Sequence, residues 1–238
     1  MASHLSDIGF KKIYYNNYLK KYQEIIDMYK DKSIYNLDKN GNGYVLVRIN
    51  KVLELYWKVN NGCVDKRSLS IHHNNDSIIS VNSFKYERNN KCVASIDDIV
   101  VRFDVPCRDY IIEYNPNNNY KCQLSFYVQW VDIYKDASEY EKTPDYLDNG
   151  LRNICTDITN IDSDTYEESR SSICLITGIV KEIRALTNPY KDYKYFEVVI
   201  DSYKEDYICY FDCDDYKDLC VGNVIDGEFY VTGKIEKV

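Results

Sequence analysis

His72 and His73, followed by Asn74, Asn75 and Asp76, are the one place in this chain where two imidazoles meet a carboxylate at short range. A histidine-based metal centre or general base would have to use them, because only His4 stands elsewhere. Their adjacency argues against a shared metal, since neighbouring residues of a strand point to opposite faces. An ordinary pair at a strand end is the simpler reading. A second cluster combines Cys209, Cys213 and Cys220 with Asp212, Asp214, Asp215 and Asp218. Thiolates at that spacing could hold a soft metal, and the aspartates a hard cation. However, no Cys-x-x-Cys pair is present, and the acidic run lacks the glycine turn and closing glutamate of a calcium loop. Cys209 and Cys213 alternate with Phe211 as core side chains do, and the aspartates suit the start of a helical turn. Asp97-Asp98 is a third candidate, for acid–base work. Adjacent acids on a strand diverge, whereas paired catalytic carboxylates must face one another across a substrate.

The fourth constellation is aromatic and basic. Tyr190, Tyr193, Tyr195, Phe196 and Tyr203 lie among Lys181, Arg184, Lys191 and Lys194. Single-stranded nucleic acids are held by such rings beside a positive groove, so Tyr193, Tyr195, Phe196, Lys191 and Lys194 are the candidate nucleic-acid-binding residues. Charge opposes this. Residues 171–238 carry 8 basic and 13 acidic side chains, a balance of -5, and residues 61–170 carry 12 and 19, a balance of -7. Residues 1–60 carry 10 basic and 6 acidic groups, so the positive end of the molecule lies elsewhere. No phosphate loop, nucleophile elbow, kinase signature or dinucleotide fingerprint occurs, which moves the expectation away from an enzyme. No metal and no cofactor are expected.

The elements that must position these residues are mostly strands. Tyr15, Tyr18, Leu19, Tyr22, Ile25, Ile26 and Tyr29 recur at three- and four-residue steps, which predicts an amphipathic helix over residues 12–30 with its lysines in solvent. From Asn40 the period becomes that of strands. Asn40-Gly41-Asn42-Gly43 signals a turn, followed by strands over 44–49 and 52–57, with Asn61-Gly62 closing the second. Further strands are expected over 68–71, 78–84, 92–96, 99–105, 109–114 and 120–133. Residues 134–164 read as an acidic connection with some helical character, and the boundary between two domains is placed near 163–172. Long strands over 173–186, 193–200, 207–213 and 224–235, with a helical turn at 214–219, then resemble a small OB-fold-like barrel. One strand is lacking, for which residues 154–158 or a broken first strand are the nearest suppliers.

The 238 residues carry 30 Lys+Arg against 38 Asp+Glu, a formal net charge of -8. Tyr occurs 25 times beside many Asn, Lys, Ile and Asp, a set with A/T-rich codons, so base composition accounts for the tyrosines without any function. Nine cysteines with scattered spacings and no secretory signal point to reduced thiols. No run approaches a membrane span.

Certain stretches resemble a family. Leu5-Ser6-Asp7-Ile8-Gly9-Phe10 is similar to its opening. Residues 93–101 and Leu124-Ser125-Phe126-Tyr127-Val128 resemble its central strands, and residues 213–219, Val221-Gly222 and 227–233 its terminal barrel. It is a bacterial family of unknown function from low-GC Gram-positive bacteria. The hairpin over 104–121 departs from its pattern. The resemblance implies a cytoplasmic bacterial protein and brings no catalytic residues with it.

The expected fold is therefore α+β and β-rich: an N-terminal helix packed on an antiparallel sheet over residues 1–165, then an OB-like β-barrel over 172–238. The expected function is a non-enzymatic, cytoplasmic interaction protein that binds another protein through its β-rich domains, away from any membrane. The alternatives are a single-stranded nucleic-acid binder using the barrel, and a metal- or thiol-dependent enzyme centred on His72/His73 or Cys209–Cys220.

Overall fold

The computed structural model describes residues 6–10, 18–66, 68–75, 78–87, 90–96, 99–107, 111–144, 155–156, 172–189, 193–202 and 205–238. The N-terminal periodicity produces helix α1 (Tyr18–Met28). The part of the expected helix that precedes Tyr18 lies outside the described residues. Tyr22, Ile25 and Ile26 of α1 are buried with Val45, Val47, Leu55 and Trp57, and the Tyr22 ring meets Trp57 edge-on at 6.4 Å. These sheet residues belong to a small antiparallel sheet of β1 (Ser33–Leu37), β2 (Gly43–Arg48), β3 (Leu53–Asn60), β4 (Cys63–Val64) and β5 (Ser70–His73). Its spatial order is β1-β2-β3-β4, with β5 also paired to β3. The helix-on-sheet expectation therefore holds.

The second sheet has ten strands. Upstream are β6 (Ile78–Val81), β7 (Ser83–Tyr86), β8 (Lys91–Ile96), β9 (Ile99–Asp104) and β10 (Tyr120–Tyr134). After helix α2 (Ala137–Tyr140) come β11 (Cys155–Thr156), β12 (Ile173–Asn188), β13 (Tyr193–Ser202), β14 (Glu205–Asp212) and β15 (Val224–Lys237). The expected strand over 78–84 is divided at Asn82. Of the one expected over 109–114, the described residues 111–114 are irregular.

Five of these strands close a ring. β12 pairs antiparallel with β13 and β13 with β14. β14 pairs parallel with β10 through Phe126↔Cys209 and Tyr127↔Tyr210. β10 pairs antiparallel with β15 over almost its whole length, and β15 returns to β12. The ring is the OB-like barrel, and its missing strand is β10. Neither a broken first strand nor residues 154–158 supply it: β11 only lies against β12, at Cys155↔Leu175 and Thr156↔Cys174. The expected boundary near 163–172 thus separates stretches of sequence that share one sheet. A parallel partner needs a long crossover, so a strand from far upstream can take the closing place.

Gly178 marks where β12 changes partners, from β15 on one side to β13 on the other. A Cβ there would stand 2.4 Å from the Asp201 carbonyl oxygen. Inside the barrel lie Phe126, Val128, Ile176, Val198, Ile200, Cys209, Phe211, Phe229 and Val231. The same core runs on beneath the curled β6–β9 half-barrel through Ile79, Phe84, Ala94, Val101 and Phe103. Among the described residues no helix is long and apolar enough to cross a membrane.

Candidate functional site

The histidine pair sits where the two sheets meet. By strand alternation His72 and His73 of β5 face opposite ways, as their adjacency requires. Both are fully buried. His73 reaches the outer surface of the barrel. Its ring stacks on Tyr210 with centroids 3.8 Å apart and planes 15° from parallel. Its Nδ1 lies 3.0 Å from the Tyr127 hydroxyl and its Nε2 3.3 Å from that of Tyr195. A neutral imidazole has one N–H and one bare nitrogen, so it donates to one tyrosine and accepts from the other. Burial, then the proximity of His72, holds the His73 pKa well below the ordinary value. Burial, followed by the Lys234 charge, lowers His72 to about 4.

The contact continues along β10. His72 Nε2 donates to Gln123 Oε1 at 3.3 Å, and the Gln123 amide donates to the Asn75 carbonyl. Asn75 Nδ2 donates to the Leu124 carbonyl at 2.8 Å, and Ser125 Oγ to the His73 carbonyl at 3.1 Å. Lys234 Nζ donates to Asn74 Oδ1 at 3.0 Å. Further along the same seam, Asn188 Nδ2 donates to the Ile8 carbonyl at 2.7 Å. The groups after β5 are therefore satisfied by the barrel, as buried polar atoms must be. This arrangement holds two sheets together. Burial favours the neutral form of His73, and both its ring nitrogens face tyrosine hydroxyls.

Tyr195 is buried beneath the first sheet and occupied by His73. Phe196, the next residue, packs against the barrel core. Tyr193 is half-buried and Lys194 exposed, while Lys191, Tyr190 and Tyr203 lie outside the described residues. Among the described rings, Tyr195 is therefore closed off by the first sheet while Tyr193 stays partly accessible. Lys181 is paired with Asp201 at 3.3 Å and Asp206 at 2.8 Å, and Arg184 with Glu182 at 2.8 Å and Glu197 at 3.4 Å. These two cations are balanced by carboxylates, which weakens their pull on a phosphate backbone.

Cys209 lies in the barrel core, where burial raises its thiol pKa well above the usual range. Burial, then Asp214 and Asp212, raises that of Cys213. Both shifts oppose the thiolate that nucleophilic or metal-binding cysteine needs. Asp212 Oδ1 accepts from the Asp214 backbone N–H at 2.8 Å, so the acidic run shapes a turn. Among the described residues no group of histidine, cysteine and carboxylate side chains is disposed to hold a metal ion. Asp97 and Asp98 lie outside the described residues.

The feature that sequence reading missed is β1. It follows α1 and pairs with β2 from Ser33↔Val47 to Leu37↔Gly43. On its other side no described strand pairs with it. Ile34, Tyr35 and Leu37 are 46, 49 and 39 % exposed. Within Ser33–Leu37 there is no charge, no proline and no bulge, the devices by which edge strands are ordinarily blunted. The Asn40–Gly43 turn was the available signal, since a hairpin turn ahead of β2 demands a strand before it.

Compared with known proteins, the chain matches no family model, no curated protein and no solved structure.

Proposed function

We propose that this is a non-enzymatic interaction protein that binds a strand of another protein along the open edge of its first sheet. The observation that carries the reading is β1: a strand whose outer side no described strand pairs with and whose Ile34, Tyr35 and Leu37 side chains are exposed. Adding a strand to such an edge supplies main-chain hydrogen bonds, and alternate side-chain positions supply selectivity. His72, His73 and Cys209 are buried, and burial favours their neutral forms, which supports a binding role over a chemical one. The barrel contributes rigidity, because its outer face at Tyr127, Tyr195 and Tyr210 is already taken by the first sheet.

The test is selection of displayed extended peptides on the full chain, followed by affinity measurement against Tyr35→Lys. A lysine on the edge repels a strand without disturbing the core, so peptides bound there weaken at least about tenfold. Hydrogen exchange of the β1 amides slows in the complex. Peptides that bind equally to both proteins, or a selection that yields none, would overturn the reading.

A further inference from the structure

We infer that the outer face of the barrel around Trp130 binds an arginine-bearing peptide segment of a partner protein. This face belongs to the second sheet, apart from β1, and offers side chains rather than a strand edge. Along β10 the alternate residues Cys122, Leu124, Phe126 and Val128 point into the core. Trp130 would follow them, but the pairing with β15 slips between Val128 and Trp130. Val128 faces Phe229 and Trp130 faces Glu228, so one extra residue turns the indole outward. Re-aiming a side chain is a recurrent use of such a bulge. The indole is 53 % exposed, more than any other described aromatic side chain. No hydrogen bond or ring contact engages it.

Its neighbours on that face are carboxylates. Glu228 stands directly opposite Trp130, and the next outward pair is Asp132 with Asp226. Like charges directly opposite one another on paired strands are destabilising. No cation relieves them: among the described residues none of the three carboxylates forms an ion pair. Asp226 accepts a hydrogen bond from Thr177 Oγ1, while Asp132 and Glu228 are exposed. An exposed indole beside uncompensated carboxylates is complementary to a cation carried on a flat group. A guanidinium stacks on the indole and forks its N–H donors to the acids around it. An ammonium is a compact, strongly hydrated charge without that plane, so arginine is favoured over lysine. The two cross-strand pairs lie side by side, so a segment with several arginines engages both.

The experiment is calorimetric titration of the full chain with an acetylated, amidated tetra-arginine peptide. Physiological ionic strength is used, where exposed charges more than about 8 Å apart are screened. Binding is expected with a dissociation constant of the order of 10–100 μM, and tetra-lysine binds at least about fivefold more weakly. Trp130→Leu, and separately Asp132→Asn with Glu228→Gln, each weaken tetra-arginine about tenfold. Trp130→Phe, which keeps a ring, recovers part of the loss. Asp31→Asn with Glu205→Gln removes the same charge at exposed positions elsewhere and leaves the affinity within about twofold. Far-ultraviolet spectra matched to wild type show that the variants keep the fold. Equal weakening in the Asp31 and Glu205 control, or tetra-lysine bound as tightly as tetra-arginine, overturns the assignment. So does an absence of binding. Self-association of the unliganded chain that Trp130→Leu abolishes gives the face to a second copy and overturns it too.

Discussion

The barrel and the first sheet treat their strand edges in opposite ways. The barrel has none: β12, β13, β14, β10 and β15 form a closed circuit in which each strand has a partner on both sides for part of its length. The first sheet ends on β1, whose outer side no described strand pairs with. Closure removes the row of free N–H and C=O groups that invites another chain, and an open edge keeps it. On the proposed reading the barrel is the rigid part and the first sheet the part that meets partners. The seam at His73 ties the one to the other.

The most damaging way to test this division is to break the ring. Gly227 of β15 pairs with Val131, and a Cβ there would stand 2.2 Å from the Trp130 carbonyl oxygen and 2.7 Å from the Val131 Cα. Backbone cannot yield as a flexible side chain can. Gly227→Ala is expected to lose about 4 kcal/mol of stability in urea unfolding, the range reserved for severe core disruption. The first sheet loses its structure in the same transition, because its polar seam is satisfied by β10. Two separate transitions would show that the sheets are independent, and would sink the comparison.

Acid attacks the seam next. His72 and His73 have folded-state pKa values below the ordinary 6.5, His72 at about 4. Above pH 6.5 both are neutral folded or unfolded and contribute no pH dependence. As pH falls below 6.5 the unfolded chain takes up protons that the folded chain refuses, so stability drops. For His72 the loss ends near pH 4 and amounts to roughly 3 kcal/mol. The charged neighbours Lys234, Glu54 and Glu236 act on His72, whereas His73 faces the hydroxyls of Tyr127 and Tyr195 and the ring of Tyr210. His72→Gln should flatten the pH 4–6.5 part of the unfolding curve. A curve as steep as wild type would place the acid-sensitive groups elsewhere.

What the sequence revealed follows how local each signal was. Strict alternation at Tyr207, Cys209 and Phe211 placed β14 to within two residues, and the apolar runs around Ile176 and Val198 did the same for β12 and β13. β10 was visible as a strand, but its place in the ring was not. Parallel pairing of Phe126 with Cys209 joins residues more than eighty positions apart and leaves no turn to mark it. The opposed directions of His72 and His73 followed from backbone geometry alone. The tyrosine cradle around His73 did not, because Tyr127, Tyr195 and Tyr210 come from three strands. β1 escaped because five residues of mixed polarity are too few for a period.

The cradle itself offers a smaller perturbation. His73→Ala removes a stacked ring and leaves two buried tyrosine hydroxyls short of a partner. A loss of about 2 kcal/mol is expected from unfolding experiments. His73→Gln, which keeps a donor and an acceptor, should recover part of it. Equal losses in the two variants would mean that stacking on Tyr210 dominates the hydrogen bonds.

The smallest effect is expected where the comparison is sharpest, at a glycine of the open sheet. Gly43 pairs with Leu37, and a Cβ there would stand 1.9 Å from the Asn36 carbonyl oxygen, as tight a clash as that at Gly227. The consequence differs because of what lies behind each strand. β15 is held on both sides, so the ring has nowhere to move. β1 has no described strand on its outer side and carries mostly exposed side chains. Gly43→Ala is therefore expected to cost only about 1 kcal/mol of global stability, the range of an ordinary substitution. The β1 amides should exchange faster with deuterated solvent, while those of β10 and β15 keep their protection. Association through β1 should weaken along with its order. If global stability instead falls as far as in Gly227→Ala, the edge strand is as integral to the fold as the barrel, and the contrast between a closed core and an open interaction edge is lost.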